Sequence, residues 1–177
     1  MKFEIPFKEE IYKKQTSLNL SLTWEKILKK NKKNLIIYIF FISIGFLTIY
    51  GGGNIGVIFI IIGLFGLLEC YRINTAYQNY KKTYLKLIEN EIKGQLESNE
   101  KSVWEFNDDY FSYKDYKYEA KIKWNAFKNY RIIEDNIFLD LNVGNQSSYI
   151  LSKEEIGNDS FENIIELIHT KINRTSH

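Results

Sequence analysis

Few side chains in this 177-residue chain have the type and spacing that chemistry requires. The two histidines are His169, inside an amphipathic C-terminal segment, and His177, the last residue, so no spacing suggests a shared metal or acid–base work. Each reads as helix surface or tail. Cys70 is the one cysteine, which excludes an internal disulfide, and with two histidines it cannot complete a zinc site of the usual ligand count. It follows an apolar stretch, where reversible acylation is one reading and an inert interfacial thiol the plainer one. The acidic pair Asp108-Asp109 sits in a tight-turn sequence, and Asp is a common turn residue. Ser147-Ser148 lacks the glycine frame of a nucleophile elbow, and Gly51-Gly52-Gly53 lacks the lysine and Ser/Thr of a phosphate loop. No catalytic residue, metal site or cofactor is read from the sequence, so a non-enzymatic protein is expected.

Two groups of lysines are candidates for binding. Lys117, Lys121 and Lys123 alternate with apolar residues in Tyr116–Trp124, so as a strand they share one outer face and could meet phosphates or an acidic partner. Glu119 interrupts the row, which favours a plain solvated face. Lys26, Lys29, Lys30, Lys32 and Lys33 form the second group, placed to attract anionic lipid or simply to orient a membrane span. Nucleic acid is not expected as a partner. Net charge is only +2, and residues 69–177 carry 15 Lys+Arg against 18 Asp+Glu.

The element that must position these groups is an apolar run. Leu35 to Leu68, 34 residues, contains no Asp, Glu, Lys, Arg or His. A bilayer core needs about 20 helical residues, and a straight helix of this length would measure about 51 Å. One span is too long. Gly51-Gly52-Gly53-Asn54 divides the run, predicting a transmembrane helical hairpin with arms 35–50 and 55–68 and the turn at 51–54. Gly45 and Gly52 on one arm, with Gly56 and Gly63 on the other, recur every seven residues and would let the arms approach closely. The five lysines before the hairpin, with Arg72, Lys81, Lys82 and Lys86 after it, predict that both termini are cytoplasmic. The long charged lead and the lack of a small-residue cleavage site argue against a signal peptide. The arms carry no ionisable group, which argues against transport.

The remaining elements follow from periodicity. Phe3, Ile5 and Phe7 alternate with polar residues and Pro6, predicting an edge strand ahead of a helix from about Lys8, so residues 1–34 form a strand and juxtamembrane helix. Residues 69–93 repeat apolar positions at steps of three and four as an amphipathic helical extension, with Gly94 ending it. Residues 94–177 switch to period two. Tyr116–Trp124 is the clearest strand; Ser102–Phe106, Tyr110–Lys114, Lys128–Ile133, Ile137–Leu141 and Ser148–Leu151 are shorter ones, the last after a Gly144-Asn145 turn. Ser160 reads as the N-cap of a final helix whose apolar face is Phe161, Ile164, Ile165, Leu167, Ile168 and Ile172. The expected fold class is therefore an α+β membrane protein: a two-helix hairpin inserted before one bent antiparallel β-meander covered by a C-terminal helix. The N-terminal strand is expected to join that meander across the hairpin, making 1–34 and 69–177 one folded unit.

This order resembles the YcxB-like membrane proteins. The residues that carry the likeness are Ile122-Lys123-Trp124, Phe127, Tyr130, Ile137-Phe138-Leu139 and Tyr149-Ile150-Leu151, followed by the terminal helix. A proline often found after the last strand of that family is replaced here by Ser152 and Lys153. The resemblance implies a pleckstrin-homology-like half barrel in a bacterial inner (plasma) membrane protein, and supplies no catalytic residues. Two functions are expected on this basis. One is a membrane-confined module that binds a protein or lipid headgroup; the other is an immunity protein that neutralises a membrane-acting toxin.

Overall fold

The computed structural model describes residues 1–142 and 148–172. The Gly144-Asn145 turn, Ser147 and His177 lie outside the described residues. The element order is β1 (Lys2–Ile5), α1 (Glu9–Tyr50), α2 (Gly56–Ser98), β2 (Ser102–Phe106), β3 (Tyr110–Lys114), β4 (Glu119–Lys123), β5 (Phe127–Ile133), β6 (Asn136–Leu141), β7 (Ser148–Ser152), α3 (Lys153–Ile156) and α4 (Asn158–Ile172). The protein is α+β, with two long apolar helices, two small antiparallel sheets and a C-terminal helix. Contacts divide it into two units, Leu18–Leu87 and the combination of Met1–Ser17 with Ile88–His177.

In Leu18–Leu87 the glycine tract does what its composition requires. Gly53 N–H bonds to Thr48 O and Gly52 N–H to Ile49 O, both at 2.9 Å, and Gly52 adopts φ +84. These two bonds around a left-handed residue close the C-terminus of α1 and satisfy carbonyls that the helix leaves free. α2 then opens through i to i+3 bonds, Gly56 N to Gly53 O and Val57 N to Asn54 O. Both helices are long and apolar enough to cross a membrane. The lysine-rich segment ahead of Leu35 is not a separate helix; α1 runs through it unbroken, because lysine and asparagine add no break where neither Gly nor Pro intervenes.

The other unit has a four-stranded sheet of order β1-β2-β3-β4 and a three-stranded sheet of order β5-β6-β7, all neighbours antiparallel. β1 pairs with β2 in the register Phe3↔Trp104 and Ile5↔Ser102, so the N-terminal strand does join the sheet from the far side of the hairpin. It lies at the edge, with Pro6 just past its end, where a missing N–H costs no ladder bond. The folded unit is narrower than the sequence suggests: residues 18–34 and 69–87 group with the hairpin.

The expected single bent sheet is two sheets. A 3-10 turn at Trp124–Ala126 separates β4 from β5, and the Trp124 ring is buried there with its indole N–H on Asn107 O at 3.0 Å. One core fills the space between the sheets and α4. It includes Trp104, Phe106, Phe111, Phe127, Ile137, Leu139 and Leu151 from the strands, with Phe161, Ile164, Ile168 and Ile172 from α4. Gly94 does not end α2, which continues to Ser98. The position lacks a Cβ because the Tyr116 ring and hydroxyl press on it. Ser160 is not a cap either. α4 starts at Asn158, and the capping box lies upstream, where Ser152 Oγ accepts from Glu154 N and Glu155 Oε2 accepts from Ser152 N.

Candidate functional site

The three lysines proposed as one face of a strand are not one face. Only Lys121 and Lys123 lie on β4, an edge strand. Lys117 is in the turn before it, because the buried Asp115 carboxylate intercepts the backbone: Oδ1 accepts from Lys117 N at 2.8 Å and from Tyr118 N at 2.9 Å, while Oδ2 accepts from the Tyr113 hydroxyl at 3.0 Å. Lys117 Nζ pairs with Glu91 at 2.9 Å, and that carboxylate raises its pKa. Lys121 Nζ sits 3.6 Å from the centroid of the Tyr110 ring. On the same sheet Lys114 approaches Glu119 at 3.9 Å, and Lys2 stands opposite Glu105 in the ladder. The outer face is a lattice of mixed charge in which Lys114, Lys117 and Lys121 each have a partner.

Polar clusters that the sequence did not disclose lie elsewhere on this unit. Arg131 grips Asp140 with two bonds, Nε to Oδ2 at 2.7 Å and Nη2 to Oδ1 at 2.8 Å, and Ser148 Oγ donates to the same carboxylate at 2.6 Å. The carboxylate raises the Arg131 pKa, and with both ends matched this is a cross-strand clamp rather than an open anion site. Gln15 donates to Glu155 Oε2 at 2.7 Å, tying α1 to the α3 cap, and burial pushes the Glu155 carboxyl above its usual range. Burial, with Asp115 beside it, likewise drives the Tyr113 phenol upward. The Tyr130 hydroxyl and His169 Nδ1 are 2.9 Å apart on the surface. Among the described residues no three His, Cys, Asp or Glu side chains form a group that could hold a metal ion.

The other candidates are on Leu18–Leu87. Lys26, Lys29, Lys30, Lys32 and Lys33 are all exposed on α1. Lys29 pairs with Glu25 one turn earlier; the other four make no ion pair among the described residues. Across the seam from them, Asn31 Nδ2 donates to Cys70 O at 3.1 Å and Cys70 Sγ lies 3.7 Å from Asn31 O. Cys70 is a free thiol buried against α1. Of the glycines, Gly45 and Gly56 face one another, and Gly63 meets Ile42 and the Tyr38 carbonyl. Gly52 is not part of that seam; it occupies the turn with positive φ. Gly66, not singled out from the sequence, lies against the Tyr38 ring.

Comparison with protein-family models, curated proteins and solved structures gives no match. The functional reading therefore rests on the chain's own geometry.

Proposed function

We propose that this is a non-enzymatic integral membrane protein, anchored by the α1–α2 hairpin in a bacterial plasma membrane, whose cytoplasmic β-module binds a protein or lipid partner. One observation carries the reading: the apolar segment is uncharged from Leu35 to Leu68 and its large side chains point outward, with Ile36 65%, Leu47 71% and Phe65 66% exposed. A soluble helix pair would bury such residues; in water they would form an apolar surface far beyond what a monomer carries. Glycine-mediated contact between the arms leaves bulky Ile, Leu and Phe for the lipid, the division expected of packing in hydrocarbon. The absence of lysine and arginine from Gly51–Asn54, against nine of them in the flanking segments 18–34 and 69–87, favours both termini on the cytoplasmic side.

The module supports a pleckstrin-homology-like assignment, and with it the YcxB-like likeness, through its four-plus-three strand order, the corner at Trp124–Ala126 and α4 closing the core. Its mechanism is confinement: a module held at a surface has a raised effective concentration toward membrane neighbours. Alkaline carbonate washing of membranes from producing cells should leave the chain in the pellet; quantitative release would remove the reading. Photocrosslinkers placed at exposed module positions such as Lys128 and Glu162 should then recover a discrete partner.

A further inference from the structure

We propose that the lysine stripe of α1 is a binding site for anionic phospholipid headgroups, separate from the module's own partner site. The inference rests on the hairpin being inserted. Lys26, Lys29, Lys30 and Lys33 follow the i, i+3, i+4, i+7 pattern and occupy one face of α1, with Lys32 beside them. The opposite face is held to α2: Asn31 bonds to Cys70, and the Trp24 ring centroid lies 5.4 Å from Tyr77 and 5.5 Å from Tyr80. The stripe is thus turned outward by packing. The two acids of this region are neutralised locally, Glu25 by Lys29 and Glu69 by Arg72 at 2.8 Å. Among the described residues Lys26, Lys30, Lys32 and Lys33 have no acidic partner and remain as uncompensated positive charge.

Position along the helix selects the ligand. Lys33 and Lys26 precede Leu35 by two and nine residues, placing them about 3 to 14 Å from the apolar boundary at about 1.5 Å per residue. Lys30, Lys32 and Lys33 fall within one Debye length of that boundary, about 8 Å at physiological salt, and Lys26 within two. Charge sorting within the chain agrees: Leu18–Leu87 carries nine Lys+Arg against two Asp+Glu, whereas the remainder carries 15 against 20. The cationic surface is at the bilayer and the module is acidic. Lys81, Lys82 and Lys86 supply an internal contrast. They follow Leu68 by 13 to 18 residues, about 20 to 27 Å along α2, too far for the surface field.

The test uses the full chain, purified and reconstituted in phosphatidylcholine vesicles, with spin-labelled phosphatidylglycerol and phosphatidylcholine as probes of the lipid shell. Phosphatidylglycerol should be preferred about fivefold or more, the equivalent of one surface lysine, and the preference should fall with salt. The variant Lys26→Gln/Lys30→Gln/Lys32→Gln/Lys33→Gln should lose it, the matching arginine variant should keep it, and Lys81→Gln/Lys82→Gln/Lys86→Gln should leave it unchanged. Inorganic phosphate should compete no better than chloride at equal ionic strength. Equal association of the two lipids, or equal loss in the two glutamine variants, would overturn the site. Carbonate resistance of the same vesicles reports insertion independently, so a failed lipid preference in a retained chain contradicts the site and not the anchor.

Discussion

Replacing Gly45 by alanine separates two accounts of the hairpin by the sign of its effect. On an isolated helix the change should stabilise, since alanine exceeds glycine by about 1 kcal/mol in helix propensity. In the structure the new Cβ would lie 2.6 Å from Ile60 Cγ1, 2.7 Å from Gly56 O and 3.0 Å from Ile60 N, where ordinary contact is 3.4–4 Å. Two of these three atoms are backbone, so no rotamer change relieves them. The helices must part by roughly 0.7 Å, a gap that forfeits a quarter to a half of the dispersion energy of each facing pair. Overpacking of this kind costs about 1–3 kcal/mol, and after the propensity gain a net loss of up to about 2 kcal/mol remains. Unfolding of the full chain in mixed micelles by titrated dodecyl sulfate, followed by circular dichroism, measures it. Gly51→Ala is the control, since its nearest atoms would be at 3.5 and 3.6 Å. Stabilisation by Gly45→Ala, or equal effects at the two positions, would refute the close approach of α1 and α2.

Glu155 gives a pH dependence. Burial raises its carboxyl pKa above the model-peptide 4.5, so its contribution is complete below that value and is lost as pH rises through the raised one. Glu155→Gln keeps an oxygen to accept from Ser152 N and Gln15, and should match or exceed the parent's thermal stability at pH 7 with the difference closing toward pH 4. Glu155→Ala should cost about 0.5–2 kcal/mol, the usual range for a lost cap; a glutamine variant as weak as the alanine one contradicts this assignment. The β1–β2 pairing predicts that cysteines at Glu4 and Val103, register partners on the outer face, form a disulfide on oxidation in a Cys70→Ser background. Failure to crosslink while Glu4 with Lys101 succeeds would mean a different register.

Much of this fold was legible because its signals are local. β2 and β3 match the sequence expectation to the residue, since Asn107-Asp108-Asp109 leaves the chain one place to turn. The hairpin was legible from Gly51–Asn54 for the same reason. What escaped was decided by side-chain partners, some local and some tertiary. The alternation of Tyr116–Trp124 is real, but the Asp115 carboxylate claims the Lys117 and Tyr118 amides and converts the start of the pattern into a turn. Gly94 reads as a stop until Tyr116 is seen against it. Likewise Ser160 lies inside α4, and the capping box is formed instead by Ser152 and Glu155 at the start of the separate helix α3. The candidate lysines illustrate the limit for function: sequence places charge on a strand or helix, while partners such as Glu91 and Tyr110 determine whether that charge is still available.

The central claim is that the chain crosses the bilayer twice, with the Gly51–Asn54 turn on one side and the β-module on the other. Labelling intact cells with a membrane-impermeant maleimide, in a Cys70→Ser background carrying a single cysteine at Asn54 or at Lys117, tests it most directly. Asn54→Cys should react before lysis and Lys117→Cys only after it. Reaction of both in intact cells, of neither until lysis, or in the reverse order would contradict the account.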